Sequence, residues 1–256
     1  MKEINIEEQK QIQLNILSEV SSFCEKHGLN YFLAYGTLIG AVRHQGYIPW
    51  DDDIDIWMPE PDYDKFIRTF NSDNYKVIHN RNSRNYYVNF AKVHDERTRY
   101  QEPYTHDTGF GVFIDVFPLH AYSGSFQRSV CFLFYRMIRM KRNKWYKNKP
   151  LYKNIINKIG HFCLLPIPLC FVSKCLEFFS RLGKWEEAKY VHSFSGNASE
   201  YPKSCFDNYE KMKFESLECR IPIGYDIILT LQYGEYMKLP EENKRILKHN
   251  AKVWRI

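Results

Sequence analysis

The sequence predicts an α+β protein: a mixed β-sheet core of about five strands behind an N-terminal helix, with a helical C-terminal half packed on it. Three observations carry that prediction. Apolar side chains recur at helical spacing over the first 27 residues. Short β-rich runs broken by Asn, Asp, Gly and Pro follow as far as residue 122. From Ser125 the pattern turns helical and strongly basic.

Ile12, Ile16, Val20, Phe23 and His27 lie three or four apart, so residues 6–27 read as an amphipathic helix that Gly28 stops. YFLAY (31–35) is strand-like, and GTLIGAVRH (36–44) opens a short helix from a glycine turn. DIDIW (53–57) alternates with the period of a half-buried strand. PEPDYDKFIRTF (59–70) reads as a helix entered through prolines. YKVIH, YYVNFAKV, TRYQE and GFGVFIDVF (109–117) then read as strands between turn residues. Helical patterns run from 125 to about 196, a strand pair follows at KMKF and CRIPI, and a helix, a loop and a final helix close the chain. The plan divides into a core over 1–124 and a helical region over 125–256, packed as one structural unit.

Composition narrows the function classes. At 256 residues, 44% hydrophobic and 16% aromatic, the chain can bury a large core, which excludes disorder. A net charge of +6 favours anionic partners such as phosphates, nucleotides or a membrane surface. Seven cysteines with no CxxC spacing exclude a zinc ribbon or a disulfide framework and read as reduced thiols of a cytoplasmic protein. MKEINIEEQKQIQ has no apolar core, so no secretory signal is expected. FCLLPIPLCFV (162–172) is too short to span a bilayer and holds two prolines.

The stretch IPWDDDIDIWMP (48–59) resists explanation by folding alone, with four aspartates in five positions. On a strand, Asp53 and Asp55 face the same side about 7 Å apart and repel unless a cation lies between them. Mg2+, with Mn2+ as an alternative, takes oxygen ligands from carboxylates and substrate phosphates. A solvated Asp-rich turn is the plain reading, and the flanking Ile54, Ile56 and Trp57 argue against it. An EF-hand starting at Asp51 fails, because Ile56 and Asp62 stand where Gly and Glu are required. An aspartyl-phosphate phosphatase fits poorly, since the cluster follows YIPW and not an apolar strand. A DxD-type glycosyltransferase using a sugar nucleotide is the alternative, although only about fifty residues precede the aspartates, where such an enzyme needs of order 100.

Two further pieces join the cluster. Gly36 and Thr37 sit between a strand and a helix, where backbone N–H groups and a hydroxyl can hold a phosphate. Asp115, in FIDVF, is a lone carboxylate in an apolar strand, a placement tolerated when the group is paired or metal-bound. Three carboxylates on neighbouring strands beside a glycine turn form the metal site of a nucleotidyltransferase-like palm. Arg43 and His44 could neutralise a diphosphate, and Lys92 and Arg97 a phosphate oxygen; surface ion pairs or solvated faces are the competing readings. Tyr35 and Trp50 could stack on a base or meet a trimethylammonium, or simply fill the core. Asp51 and Asp52 either hydrogen-bond behind the metal or face water. The basic run Arg136–Lys149 could rest on an anionic membrane or be a solvated helix, and no nucleic acid is expected as a partner.

The order FLAYGTLIGAVRHQGYIPWDDDIDIWMP, AKVHDERTRYQE, GVFIDVFPL and KFESLECRIPIGYDIILTLQYGEYMKLPEENK resembles the LicD family, which shares the nucleotidyltransferase fold with fukutin-type proteins. The likeness covers about residues 5–122 and 200–256. It implies transfer of a phosphorylated alcohol from a CDP-alcohol donor, best known as phosphocholine from CDP-choline, with release of CMP. The implied acceptor is a cell-surface glycan, such as lipopolysaccharide, teichoic acid or capsule, or its lipid-linked precursor, with the helical region closing the acceptor site. On that resemblance Asp53 and Asp55 are the metal-binding pair and Asp115 the third carboxylate, itself a candidate general base. Glu235 stands where the family usually has Asp, and PEE (240–242) where a second proline is frequent, so the acceptor's identity stays open.

Overall fold

The computed structural model describes residues 2–83, 85–101, 109–142, 155, 159–160, 162, 164, 166–194, 200–245 and 251–256. α1 (Ile6–His27) begins at Asn5, whose side chain accepts the Glu8 N–H at 2.8 Å, and ends at Gly28, left-handed at φ 64°. Its stripe of Ile16, Leu17 and Val20 is fully buried, worth about 1.5–3 kcal/mol per side chain. β2 (Phe32–Leu33), α2 (Tyr35–His44), β3 (Asp55–Pro59), α3 (Glu60–Thr69), β4 (Tyr75–Ile78), β5 (Ala91–Asp95), β6 (Thr98–Gln101) and β7 (Phe113–Ala121) follow.

The main sheet runs β2-β3-β7-β5-β4, with β3 and β7 parallel and the other neighbours antiparallel. This is the mixed sheet that the sequence predicts. α1 and α3 pack against it and meet through Phe23 and Phe66, ring centroids 5.9 Å apart. Strand alternation puts Asp55 and Trp57 of β3, Asp115 and Phe117 of β7, and Lys92 of β5 on one face. On that face Tyr35 of α2 packs edge-on against Trp57 at 4.8 Å and Phe117 at 5.2 Å.

Among the described residues of the second half, strands stand at some positions where the sequence predicts helix. α4 (Ser125–Arg142), α5 (Leu169–Ser180) and α6 (Tyr225–Tyr233) alternate with five strands. β8 (Tyr190–His192) falls where helix is expected to continue; it pairs with the far end of β7, and β9 (Glu200–Pro202) pairs with it in turn. β10 (Tyr209–Phe214) and β11 (Leu217–Pro222) form the expected hairpin. In place of a final helix, β12 (Lys252–Arg255) pairs with β6 and with β1 (Lys2–Glu3); residues 246–250 lie outside the described residues. In both corrections the segment pairs with a strand edge that exists only once the sheet is folded, and that pairing overrides the local preference. The strand expected at YYVNFAKV begins only at Ala91, and that at DIDIW only at Asp55.

α4 and α5 form an antiparallel pair over Cys131, Ile138, Val172 and Leu176. Gln127 moors it, donating to Ala121 O (3.2 Å) and Ser180 O (2.9 Å). Arg181 moors it again, its guanidinium 2.8 Å from Glu60 and 2.7 Å from Asp64 on α3. Six cysteines among the described residues carry no disulfide, and burial pushes the thiols of Cys24, Cys131 and Cys219 up to about 12. No helix among the described residues is long and apolar enough to cross a membrane.

Candidate active site

The loop between α2 and β3 is pinned from three sides. α2 ends at Gln45, left-handed at φ 56°, and a turn closes where Asp51 N–H donates to Ile48 O at 2.8 Å. From α1, the side-chain amides of Gln9 and Gln13 donate to Asp52 O at 3.3 and 3.0 Å. Gln13 also donates to Phe113 O at 3.3 Å and accepts from the Tyr47 hydroxyl at 3.0 Å. One buried glutamine therefore ties the aspartate loop to the start of β7. Thr37, inside the first turn of α2, accepts the Asp55 N–H at 2.8 Å, and Asp115 N–H donates to Ile54 O at 2.9 Å.

The result is a row of charge across three strands. Asp55 and Asp115 are register partners on the parallel pair, and Lys92 is the register partner of Asp115 on its other side. Lys92 Nζ lies 2.5 Å from Asp115 Oδ1 and 3.4 Å from the Phe113 ring centre. Just upstream, carboxylate oxygens of Asp51, Asp52 and Asp53 lie within 4.8 Å of one another. Burial holds the Asp55 carboxyl well above the usual carboxylate range, and the charges of Asp53, Asp115 and Asp51 push it further than Lys92 can offset. Three carboxylates thus act on Asp55 against the one ammonium of Lys92. An all-oxygen anionic donor set of this kind fits a hard divalent cation, Mg2+ or Mn2+, and not a thiolate- or imidazole-seeking metal.

Several expectations change on contact with these positions. Asp51 and Asp52 do not face water; each is 4% exposed. Asp53 lies just before β3, grouped with Asp51 and Asp52, and remains the largest charge acting on Asp55. Gly36 and Thr37 are not a turn ahead of a helix but belong to its first turn, with Thr37 only 3% exposed. A Cβ on Gly36 would stand 2.5 Å from Asp51 Oδ2, so that glycine lets the helix start approach an internal carboxylate. Tyr35, the first residue of the helix, sits at φ 45°, a backbone strain of about 1–3 kcal/mol.

The expected surface partners are also redistributed. Lys92 is not on a solvated face but half-buried against Asp115. Arg43 is not in a surface ion pair; it donates to Tyr236 O at 2.8 Å and to His44 Nε2 at 2.9 Å, joining α2 to the 234–238 segment. Burial and then the charge of Arg245 lower Arg43, and burial and then Arg43 lower His44. Arg245 lies 5.5 Å over the Trp50 ring. Arg97 is committed to Asp95 by a fork of 2.9 and 2.7 Å.

Sequence reasoning missed Gln13 and Tyr233. Gln9 and Gln13 stand four apart on the face of α1 that carries Ile12 and Ile16, and polar residues inside an apolar stripe were the available signal. Tyr233 ends α6 and is 45% exposed, yet desolvation and then Asp55 push its hydroxyl above its ordinary range, and no local pattern points to it.

A half-buried carboxylate row near the start of a parallel strand pair, inside a mixed sheet with α2 set against it, is the arrangement expected of an α+β domain of the nucleotidyltransferase type. Comparison agrees: the family described as LicD/FKTN/FKRP, nucleotidyltransferase domain, matches residues 28–153. The chain is 29% identical over 268 aligned positions to the lipopolysaccharide cholinephosphotransferase LicD of Haemophilus influenzae, covering 97% of each chain. These matches support the LicD family for this chain. It is also similar to an uncharacterized protein of Rickettsia typhi, 34% identical over 32% of this chain and 28% of that one. A second, from Rickettsia prowazekii, is 38% identical over 24% of each.

Proposed function

We propose that this protein is a transferase that moves phosphocholine from CDP-choline to a hydroxyl of a cell-surface glycan or its lipid-linked precursor, releasing CMP. The observation that carries the reading is the Lys92–Asp115–Asp55 row beside Asp51–Asp53. The likeness to a cholinephosphotransferase along 97% of both chains supports the group transferred. Asp53, Asp55 and Asp115 would hold Mg2+, which when bound supplies positive charge against the donor's diphosphate. Lys92 holds Asp115 through Oδ1, and Asp115 would serve the ion or take the acceptor's proton. The acceptor oxygen forms a bond to the β-phosphorus as the bond to the bridging oxygen of CMP breaks in line. Arg43, bonded to the 234–238 segment, and its neighbour His44 would meet the departing phosphate. Seven cysteines without CxxC spacing support a reducing, cytoplasmic setting.

The test is product analysis. The purified chain is incubated with Mg2+ and CDP-choline, CDP-ribitol, CDP-glycerol or UDP-sugars, with a glycan acceptor. CMP from CDP-choline is expected. UDP from a sugar nucleotide, with no CMP from any CDP-alcohol, would replace this reading with glycosyl transfer.

A further inference from the structure

We infer that the outer surface of the α4–α5 pair docks on an anionic phospholipid bilayer. This rests on the surface alone and goes beyond the proposed reaction. Charge is segregated along the chain: residues 116–176 hold eleven Lys and Arg and no Asp or Glu. Of 36 basic and 30 acidic residues in all, the remainder keeps 25 and 30, a net −5. The positive charge of the protein is therefore that of one segment; Arg128, Arg136, Arg139, Lys141, Arg142 and Lys174 lie on α4 and α5, and its other five basic residues lie outside the described residues.

The same helices expose large apolar side chains. Phe126, Phe132 and Leu133 of α4 and Phe171 and Phe178 of α5 are each more than half exposed. On α5, Phe171, Lys174 and Phe178 fall at i, i+3 and i+7, one face of the helix. On α4, Arg136 lies one turn from Phe132, its guanidinium 5.8 Å from the ring centre. The inward stripe of Gln127, Cys131 and Ile138 is satisfied by the rest of the fold, so it does not compete for the exposed aromatics. Phenylalanines standing in water among arginines are costly on a wholly solvated helix and suited to an interface, where rings enter the acyl boundary and guanidiniums meet phosphates.

Charge selects the occupant. A second copy across a two-fold axis would set this block against itself, positive on positive. An acidic bilayer meets it with opposite charge, worth about fivefold in partition for each Lys or Arg near the surface.

The experiment is flotation of the full chain with phosphatidylcholine vesicles, alone or with about a quarter phosphatidylglycerol. Binding to the acidic vesicles, weakened by salt, is expected, with little on the neutral ones. Arg136→Gln with Arg139→Gln should lower partition about tenfold or more, and Phe132→Gln with Phe178→Gln about tenfold. Thermal midpoints and CMP release with a water-soluble acceptor should stay unchanged in both double variants. Equal binding to neutral and acidic vesicles, or partition indifferent to the arginine pair, overturns the inference. A dimer in solution that the phenylalanine pair dissolves overturns it in favour of self-association. Vesicle binding is read without turnover, so a chain inactive on every CDP-alcohol would end the proposed function and leave this result standing.

Discussion

Lys92 and Asp115 stand opposite one another on β5 and β7, the ammonium 2.5 Å from one carboxylate oxygen, while Asp55 flanks the same aspartate from the other side. The lysine is thus the counter-charge for a site in which carboxylates outnumber cations. Lys92→Met keeps the length and removes the charge. It should cost roughly 2–4 kcal/mol, because Asp115 is left beside Asp55 without compensation. Asp115→Asn added to it should recover most of that loss without recovering turnover. Equal thermal midpoints for wild type and Lys92→Met would show the pair to be idle.

Asp55 should behave as a functional group kept at the expense of stability. Its carboxyl is raised, first by burial and then by Asp53 and Asp115, so the folded chain holds the proton more tightly than the unfolded chain. Its contribution to stability is therefore fully present below the ordinary carboxylate range and is lost as pH rises through the raised value. In metal-free protein, Asp55→Asn should gain about 1–3 kcal/mol at neutral pH, and the gain should vanish in acid. Turnover should fall at least a hundredfold. Denaturant midpoints across pH, with chelator present, decide it; a variant weaker than wild type at pH 7 contradicts the assignment.

Gln13 is expected to be a positioning residue. Its amide bridges Asp52 O, ahead of β3, and Phe113 O, at the start of the parallel β7, and its oxygen receives Tyr47. Gln13→Leu matches its size and leaves two buried carbonyls with fewer donors, a loss of about 1–3 kcal/mol. The Mg2+ concentration for half-maximal rate should rise, whereas Gln9→Leu, which removes a single bond, should shift it less. A stability loss with unchanged metal dependence would reduce Gln13 to an ordinary core polar group.

The legible part of this protein is the part set by local pattern. The stripe of α1 with its Gly28 stop, and the turn-bounded strands as far as β7, follow from side-chain period and from capping. Asp55 and Asp115 were recognisable because carboxylates within apolar strands need a reason. What the sequence could not supply was partnership across the chain. Lys92 reads like any strand-end lysine until β5 is set beside β7. Arg43 points to Tyr236, 193 residues away, and no spacing rule reaches that far. β8 and β12 were misread because sheet edges, which exist only in the folded chain, recruited them against a helical or weak local preference.

Gly36 sets two general tendencies against each other, and the site decides between them. In an ordinary helix, Gly→Ala stabilises by roughly 0.5–1 kcal/mol, since alanine loses less backbone entropy. Here the new methyl would lie 2.5 Å from Asp51 Oδ2, closer than such contacts occur. Asp51 is 4% exposed and packed among Asp52 and Asp53, so its carboxylate has little room to swing aside. Overpacking of this kind costs about 1–3 kcal/mol and exceeds the helix gain. Gly36→Ala should therefore lower the thermal midpoint and, by displacing Asp51 within the carboxylate group, lower turnover about tenfold or more. A variant that melts higher than wild type and keeps its rate would mean that Asp51 is not held at the start of α2, and the charge arrangement built on it would have to be redrawn.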